Sequence, residues 1–457
     1  MSEEFKDQGG VASMSPSPLK RWLTSKVVSH INRPGALEKR RAKREDQRQK
    51  QQRHHVVEYF HQVDDGYSHL AAQMLKPLLA AYDIELVCHL VSGPQGDNSV
   101  EPDLLLQLSR VDSHLIAPHY GLEFSEHPEA VNPEALALAS AILAKQNSTT
   151  FIEIADQVGH ALWSDDVAAL QALAEQYGQA SETDLHKKVT EGTERRTELK
   201  HYSGAMFYYE GEWYWGVDRL YHLEGRLRDL HVHRSPQERI LAPRPAITTN
   251  GVKDNGSLTF EIYASLRSPY TAMIFDRAVQ FARDTGVKLV VRPVLPMVMR
   301  GVPATQEKGM YIFSDCTREA KALGIKYGNF YDPIGEPVRR AYSLYPWACE
   351  QGKGTELLSA FLSSAFAEGV NTNNDKGLQK VVEKAGLDWP QAKGIVGTPG
   401  WEDTLEENRL AMYGFGSWGV PSFRLLDANR KEVLALWGQD RLWLFGREIE
   451  RLLTNND

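Results

Sequence analysis

From Val56 onward the chain alternates short runs rich in β-branched and aromatic residues with longer stretches of helical apolar spacing, and it does so twice. VVEYFHQVDDGYSHLAAQMLKPLLAAYDIELVCHLV, beginning at Val56, predicts strand, turn, helix, strand; TFEIYASLRSPYTAMIFDRAVQFARDTGVKLVVRPVL, beginning at Thr259, has the same order and apolar rhythm, with Tyr67 opposite Tyr270. Further on, SRVDSHLIAPHYGLEF at 109–124 parallels FSDCTREAKALGIKYGNF at 313–330, each a polar turn, a helix and a glycine exit. Helical stretches at 161–178 and 370–387 both open on capping residues. WGVDRLYHLEGRL at 215–227 matches WGQDRLWLFGREI at 437–449: a glycine turn, an Asp-Arg pair and an amphipathic helix. The Pro-, Gly-, Asn- and Thr-rich stretch LAPRPAITTNGVKDNGS separates the two copies and reads as a linker.

These patterns predict a domain at 54–240, a linker at 241–257 and a second domain at 258–457. Within each copy, strand–helix–strand, a helical block, then two strands and a last helix is the order of a thioredoxin-like α/β sandwich carrying a helical insertion. Residues 1–53 stand apart. Their first fifteen or so positions are rich in Ser, Gly and Pro and predict a disordered lead. Trp22, Leu23, Val27, Val28 and Ile31 then fall close to helical spacing and predict a short amphipathic helix, stopped by Arg33-Pro34-Gly35. Ala36 to Arg53 is built of helix formers almost without apolar residues, which predicts a solvated helix or charged linker.

Charge sharpens this picture. Residues 20–53 hold twelve Lys and Arg against Glu38, Glu45 and Asp46, although the whole chain carries −8. A basic arm could touch RNA, an acidic membrane, or a protein or acidic partner; the favoured reading is that it lies on the acidic remainder of its own chain, and the lack of interleaved aromatics weighs against nucleic acid. No apolar run approaches the ~20 residues of a membrane span, and the polar start MSEEFKDQGG lacks a secretory signal's pattern. Cys88, Cys316 and Cys349 are scattered singly, so no Cys-x-x-Cys pair or thiolate metal site can be drawn, and the composition fits a cytoplasmic protein.

The chemistry concentrates in the second copy. Ser268 precedes Pro269 at the expected start of a helix, an N-cap position where free N–H groups and the helix dipole favour negative charge. Trp418-Gly419-Val420-Pro421-Ser422-Phe423 places a proline at the start of a strand, where interior strands rarely accept one; in the thioredoxin-like fold expected here a cis-proline faces the helix N-terminus at this place, so a cis Val420–Pro421 bond is expected. The segment resembles the kappa-class glutathione transferases and 2-hydroxychromene-2-carboxylate isomerases, a DsbA-like branch of the thioredoxin superfamily. Ser268-Pro269-Tyr270, Arg292-Pro293, Lys308-Gly309-Met310-Tyr311 with Asp315, Tyr413-Gly414 and Gly438-Gln439-Asp440-Arg441 follow that family's order across 258–457. The resemblance implies glutathione as cosubstrate, with a small-molecule electrophile as its partner in the reaction. It implies Ser268 at the glutathione sulfur beside Pro269, Val420, ahead of the ligand-facing Pro421, pairing its backbone with the cysteinyl part, Lys308 at a carboxylate, and Gln439 and Asp440 at the γ-glutamyl end.

The sequence also departs from that family. MRGVPATQ is short and has no asparagine, and Phe415-Gly416-Ser417-Trp418 adds bulk before Gly419. In the first copy Asp65-Gly66 replaces Ser268-Pro269, and Gly204-Ala205-Met206 stands where Gly419-Val420-Pro421 stands. An acidic Asp65 would repel a thiolate, so the first copy is expected to be a degenerate scaffold, with His54, His55, His61 and His69 as surface residues rather than a metal site. A non-catalytic ligand-binding or interaction scaffold is the alternative function. A disulfide oxidoreductase is disfavoured, since Ser268-Pro269-Tyr270-Thr271 occupies the place of a redox pair.

Overall fold

The computed structural model describes residues 15–33, 35–125, 130–235, 237 and 239–454. Residues 1–14 of the expected lead lie outside the described residues. The chain is an α/β protein with two four-stranded mixed sheets, as the two alternating patterns predict. By internal contacts it divides into an N-terminal unit, residues 38–245 with 305–311, and a C-terminal unit, residues up to 37 with 246–304 and 312–457. This division differs from the sequence boundaries in two places: the arm 1–53 is cut at residue 37, and 305–311 leaves the block 258–457.

In the N-terminal unit, strands β1 (Val56–His61), β2 (Glu85–Leu90), β3 (Met206–Tyr209) and β4 (Glu212–Trp215) lie in the order β2-β1-β3-β4. β1 and β2 are parallel, which requires a crossover, and the helices Gly66–Gln73 and Leu75–Ala81 supply it. β3 and β4 form an antiparallel hairpin whose first strand pairs with β1. Five helices between Pro102 and Glu198 intervene before that hairpin, and Leu220–Asp229 closes the unit. The charged stretch becomes the helix Ala36–Lys50, and it rests on acidic residues: Arg41 grips Glu212 through two bonds of 2.7 and 2.8 Å, and Arg53 meets Glu210 at 2.6 Å.

The histidines of this unit correct the sequence reading. His54 is exposed, but His61 and His69 are only 2% and 3% exposed, and the half-buried His55 holds the Tyr209 hydroxyl at 2.6 Å. His61 lies on a buried face of β1, edge-on to Phe151 and bonded to the Tyr59 hydroxyl at 2.9 Å. His69 is packed against a helix crossing so close that a Cβ at Gly159 would stand 2.2 Å from its ring nitrogen. Burial drives both pKa values down to about 3, so both rings are neutral core residues at pH 7.

The C-terminal unit repeats the sheet with β5 (Thr259–Ala264), β6 (Lys288–Pro293), β7 (Ser422–Leu426) and β8 (Glu432–Trp437) in the order β6-β5-β7-β8, with the same pairing senses. Its crossover is the helix Pro269–Thr285, and its last helix is Leu442–Thr454. Phe260 and Phe423 stack across β5 and β7 at 5.5 Å, while Phe281 and Phe445 from the two helices meet Phe260 edge-on. Asp254, in the expected linker, accepts from the N–H groups of Gly256 and Leu258 and from the Ser257 hydroxyl, fixing the approach to β5.

One helix arrives earlier than its pattern suggests. The polar turn expected at 313 is instead the interior of a helix running Gln306–Leu323, so Lys308-Gly309-Met310-Tyr311 sits on its first turns. Among the described residues no helix is long and apolar enough to cross a membrane.

Candidate functional site

Ser268 is the N-cap of Pro269–Thr285: its Oγ accepts from the Thr271 N–H at 3.1 Å and donates to the Val420 carbonyl oxygen at 3.2 Å. The Val420–Pro421 peptide bond is cis, as the expected thioredoxin-like fold implies. Ser268, Pro269, Val420 and Pro421 therefore meet in one place, at the positive end of a seventeen-residue helix. Ser268 and Val420 are partly exposed; Pro269 and Pro421 are buried.

The loop before Pro421 is held by packing and by hydroxyl bonds. A Cβ at Gly419 would stand 2.6 Å from the Trp437 indole, so only glycine passes there, and Trp418 packs on the same indole at 5.0 Å. Ser422 Oγ donates to the Gly419 carbonyl at 2.8 Å and lies 2.6 Å from Ser417 Oγ. The Gly438 N–H donates to the Pro421 carbonyl at 2.9 Å, tying β8's end to the cis bond. The bulk that the sequence places before Gly419 turns inward: Phe415 meets Tyr263 edge-on at 5.1 Å, and Trp418 is 4% exposed. Tyr263, Val294 and Met412 form a buried apolar cluster against which Phe415 and Val420, Ser268's partner, are packed.

Beyond Pro421, β8 leads to Gln439, which is 3% exposed. Its Nε2 donates to Glu319 at 3.0 Å and also to Asp440, which leaves Oε1 buried and without a partner among the described residues. Lys308, by contrast, is grouped with the N-terminal unit, where its ammonium stands 5.9 Å from the Tyr202 ring centroid. Burial pushes the Lys308 pKa down, and among the described residues no carboxylate pairs with it.

Buried carboxylates outside the quoted motifs support this site. Glu261, fully buried on β5, receives Arg292 from β6 at 2.7 Å and Arg424 from β7 at 2.6 Å. Burial alone would raise its pKa, but those two guanidinium bonds outweigh it and the net shift is downward. Asp332 pairs with Arg267, next to Ser268, at 3.3 Å, and Asp315 accepts from the Tyr270 hydroxyl at 2.9 Å. The sequence flagged Arg292, Tyr270 and Asp315 through the resemblance; Glu261, Glu319 and Asp332 were missed. The available signal for Glu261 was a carboxylate in the middle of an apolar strand.

Residues 259–450 match the DSBA-like thioredoxin domain. Among solved structures, the chain is similar to a probable DsbA oxidoreductase from Streptomyces coelicolor, with 22% identity, a TM-score of 0.34, and 42% of this chain and 89% of that chain covered. It is also similar to a 2-hydroxychromene-2-carboxylate isomerase, with 19% identity, a TM-score of 0.37, and 43% and 97% covered. A third is the cytosolic disulfide reductase DsbM from Pseudomonas aeruginosa, with 15% identity, a TM-score of 0.34, and 43% and 98% covered. No curated protein matches.

The N-terminal unit has the same frame with different contents. Glu58 on β1 takes Arg195 at 2.7 Å and His89, on β2, at 3.0 Å, as Glu261 takes its arginines. Tyr67 donates to Asp112 at 2.7 Å, as Tyr270 does to Asp315. At the position of Ser268, however, stands Asp65, bonded by the Ser68 N–H at 3.0 Å and the Ser68 hydroxyl at 2.9 Å. Burial, against those bonds, raises the Asp65 pKa to about 6, so it is mostly anionic at pH 7 and unsuited to a second anion.

Proposed function

We propose that the DSBA-like domain binds glutathione with its sulfur at Ser268 and acts as a glutathione-dependent transferase or isomerase of the kappa and 2-hydroxychromene-2-carboxylate isomerase type. The observation that carries this reading is the meeting of the Ser268 hydroxyl, at a helix N-terminus, with Val420 and the cis-proline, in a motif that holds no cysteine. Without a thiol pair the protein cannot exchange disulfides there, but the same field favours a thiolate brought by a ligand. For that, the Ser268 O–H turns from the Val420 carbonyl to the ligand sulfur while its oxygen keeps the Thr271 N–H.

The peptide-like ligand lies along the cis-proline loop, its cysteinyl part pairing with the Val420 backbone. The Asp440 carboxylate, held by Gln439, would take the α-ammonium of the γ-glutamyl end. With its proton released to solvent, the sulfur forms a bond to an electrophilic carbon; a leaving group departs with the electron pair, or the addition reverses after the substrate has isomerised. The partly exposed apolar side chains of Phe415 and Val420 suit an apolar electrophile.

Calorimetric titration with reduced glutathione tests this reading: saturable binding that weakens about tenfold or more in Asp440→Ala is expected, from the loss of a charge-assisted contact. Absence of binding at millimolar glutathione sinks it. A second reading, a scaffold that binds a thiol ligand or protein without turnover, is favoured by one observation, the engagement of the Ser268 hydroxyl with Val420. Glutathione binding with no reaction across a panel of electrophiles selects that alternative.

A further inference from the structure

The helix Pro18–Asn32 is amphipathic as its spacing predicts, but it is turned inside out. Its polar residues face the protein: Arg21 is 1% exposed and donates to the Asp332 carbonyl at 2.6 Å, and Ser25 Oγ, 2% exposed, accepts from the Asp332 N–H at 2.9 Å. Ser29 accepts from the Phe330 N–H at 2.9 Å and donates to its carbonyl at 3.0 Å, and Asn32 accepts from Thr317 at 3.0 Å. The loop at 330–332 thus has its backbone groups satisfied by this helix, which explains why the polar stripe is the buried one.

The apolar stripe is left outside. Leu19 is 73% exposed, Trp22 48%, Leu23 56% and Val27 50%; these four are half of the eight large hydrophobic residues exposed among the described residues. Their spacing of three, four and eight puts them on one side of the helix. Residues 15–37 contain no Asp or Glu, and Lys20, Lys26, His30 and Arg33 are exposed. Lys26 falls inside the apolar stripe, one turn beyond Trp22 and Leu23.

We propose that this face docks on an anionic lipid surface. The stripe is a single convex ridge, which a bilayer interface accepts along its length, with Trp22, Leu19, Leu23 and Val27 entering the headgroup–acyl boundary. Lys26 settles the choice against an acidic protein groove: in a groove its ammonium would be desolvated, whereas at a bilayer its stem lies along the apolar layer and its charge rises to the phosphates. The helix is fastened through Asp332 to Arg267, the neighbour of Ser268, so lipid contact would hold the DSBA-like domain at the surface.

Flotation of the full chain with phosphatidylcholine vesicles, with and without phosphatidylglycerol, tests the proposal. Binding is expected to the anionic vesicles only, weakened by salt. Lys26→Gln should lower it about fivefold, the effect of roughly 1 kcal/mol per basic residue near such a surface. Leu23→Asp should abolish it while leaving the near-ultraviolet circular dichroism unchanged. Failure to bind anionic vesicles overturns the proposal. So does equal binding by wild type and Leu23→Asp. A wild-type dimer that Leu23→Asp dissociates, without vesicle binding, assigns the face to a second copy instead.

Discussion

Gly419 shows how narrowly the site is specified at the level of one residue. Because a Cβ would overlap Trp437, Gly419→Ala must push either the indole or the loop before Pro421, and a loss of about 1–3 kcal/mol in urea unfolding is expected. Glutathione affinity should fall with it, since Val420 is the next residue; unchanged stability and affinity would mean the loop is not held by Trp437. Glycine beside a proline at a strand start was legible in the sequence, and so were Ser268 as a cap and the cis bond. What could not be read was that the Ser268 hydroxyl already donates to Val420, because that bond joins residues far apart in the chain. Lys308 was legible as a residue type, but not its position over Tyr202, which depends on which unit its helix start packs with.

At the level of elements, the strands and crossover helices followed their apolar rhythm, whereas the faces of two segments did not. Helical spacing identified Pro18–Asn32 as an amphipathic helix, but not which face it buries; the backbone groups at 330–332 take the polar one. His61 and His69 were misplaced for a related reason, since a neutral imidazole packs as an aromatic once a partner or close helix contact is available. Across the C-terminal sheet, Glu261 is bonded by strands on both sides, so Glu261→Gln leaves two guanidinium groups without their carboxylate. The expected cost is about 3 kcal/mol in the unfolding of that unit. A cost within error of zero would show that the triad adds nothing beyond its desolvation penalty.

For the whole molecule, the two sheets share order and pairing sense, and each centres on a buried glutamate, while their helix starts carry Ser268 and Asp65 respectively. The difference appears in the pH dependence of stability. His61, His69 and His201 titrate near 3 when folded because of burial, so on acidification from pH 7 to 5 the unfolded chain takes up protons that the folded chain refuses, and stability falls. Asp65, raised to about 6, acts in the opposite sense over that range, because the folded form is the one that gains its proton. His55, also lowered by burial, adds to the fall and Glu224, raised by burial, opposes it; the four imidazoles against two carboxylates predict a net fall in Tm from pH 7 to 5, and a smaller fall in His69→Phe at a pH where the variant is folded. A Tm that rises or stays constant over this interval would contradict the burial of these rings.

The central claim is that Ser268 and its helix stabilise a ligand's thiolate. The most direct measurement is the pKa of glutathione bound to the purified chain, followed by the ultraviolet absorption of the thiolate as pH is raised, in wild type and in Ser268→Ala. The account predicts a bound pKa below that of free glutathione, and a rise of about one unit in the variant as one hydrogen bond to charge is lost. A bound thiol with its ordinary pKa, the same in both proteins, would contradict it.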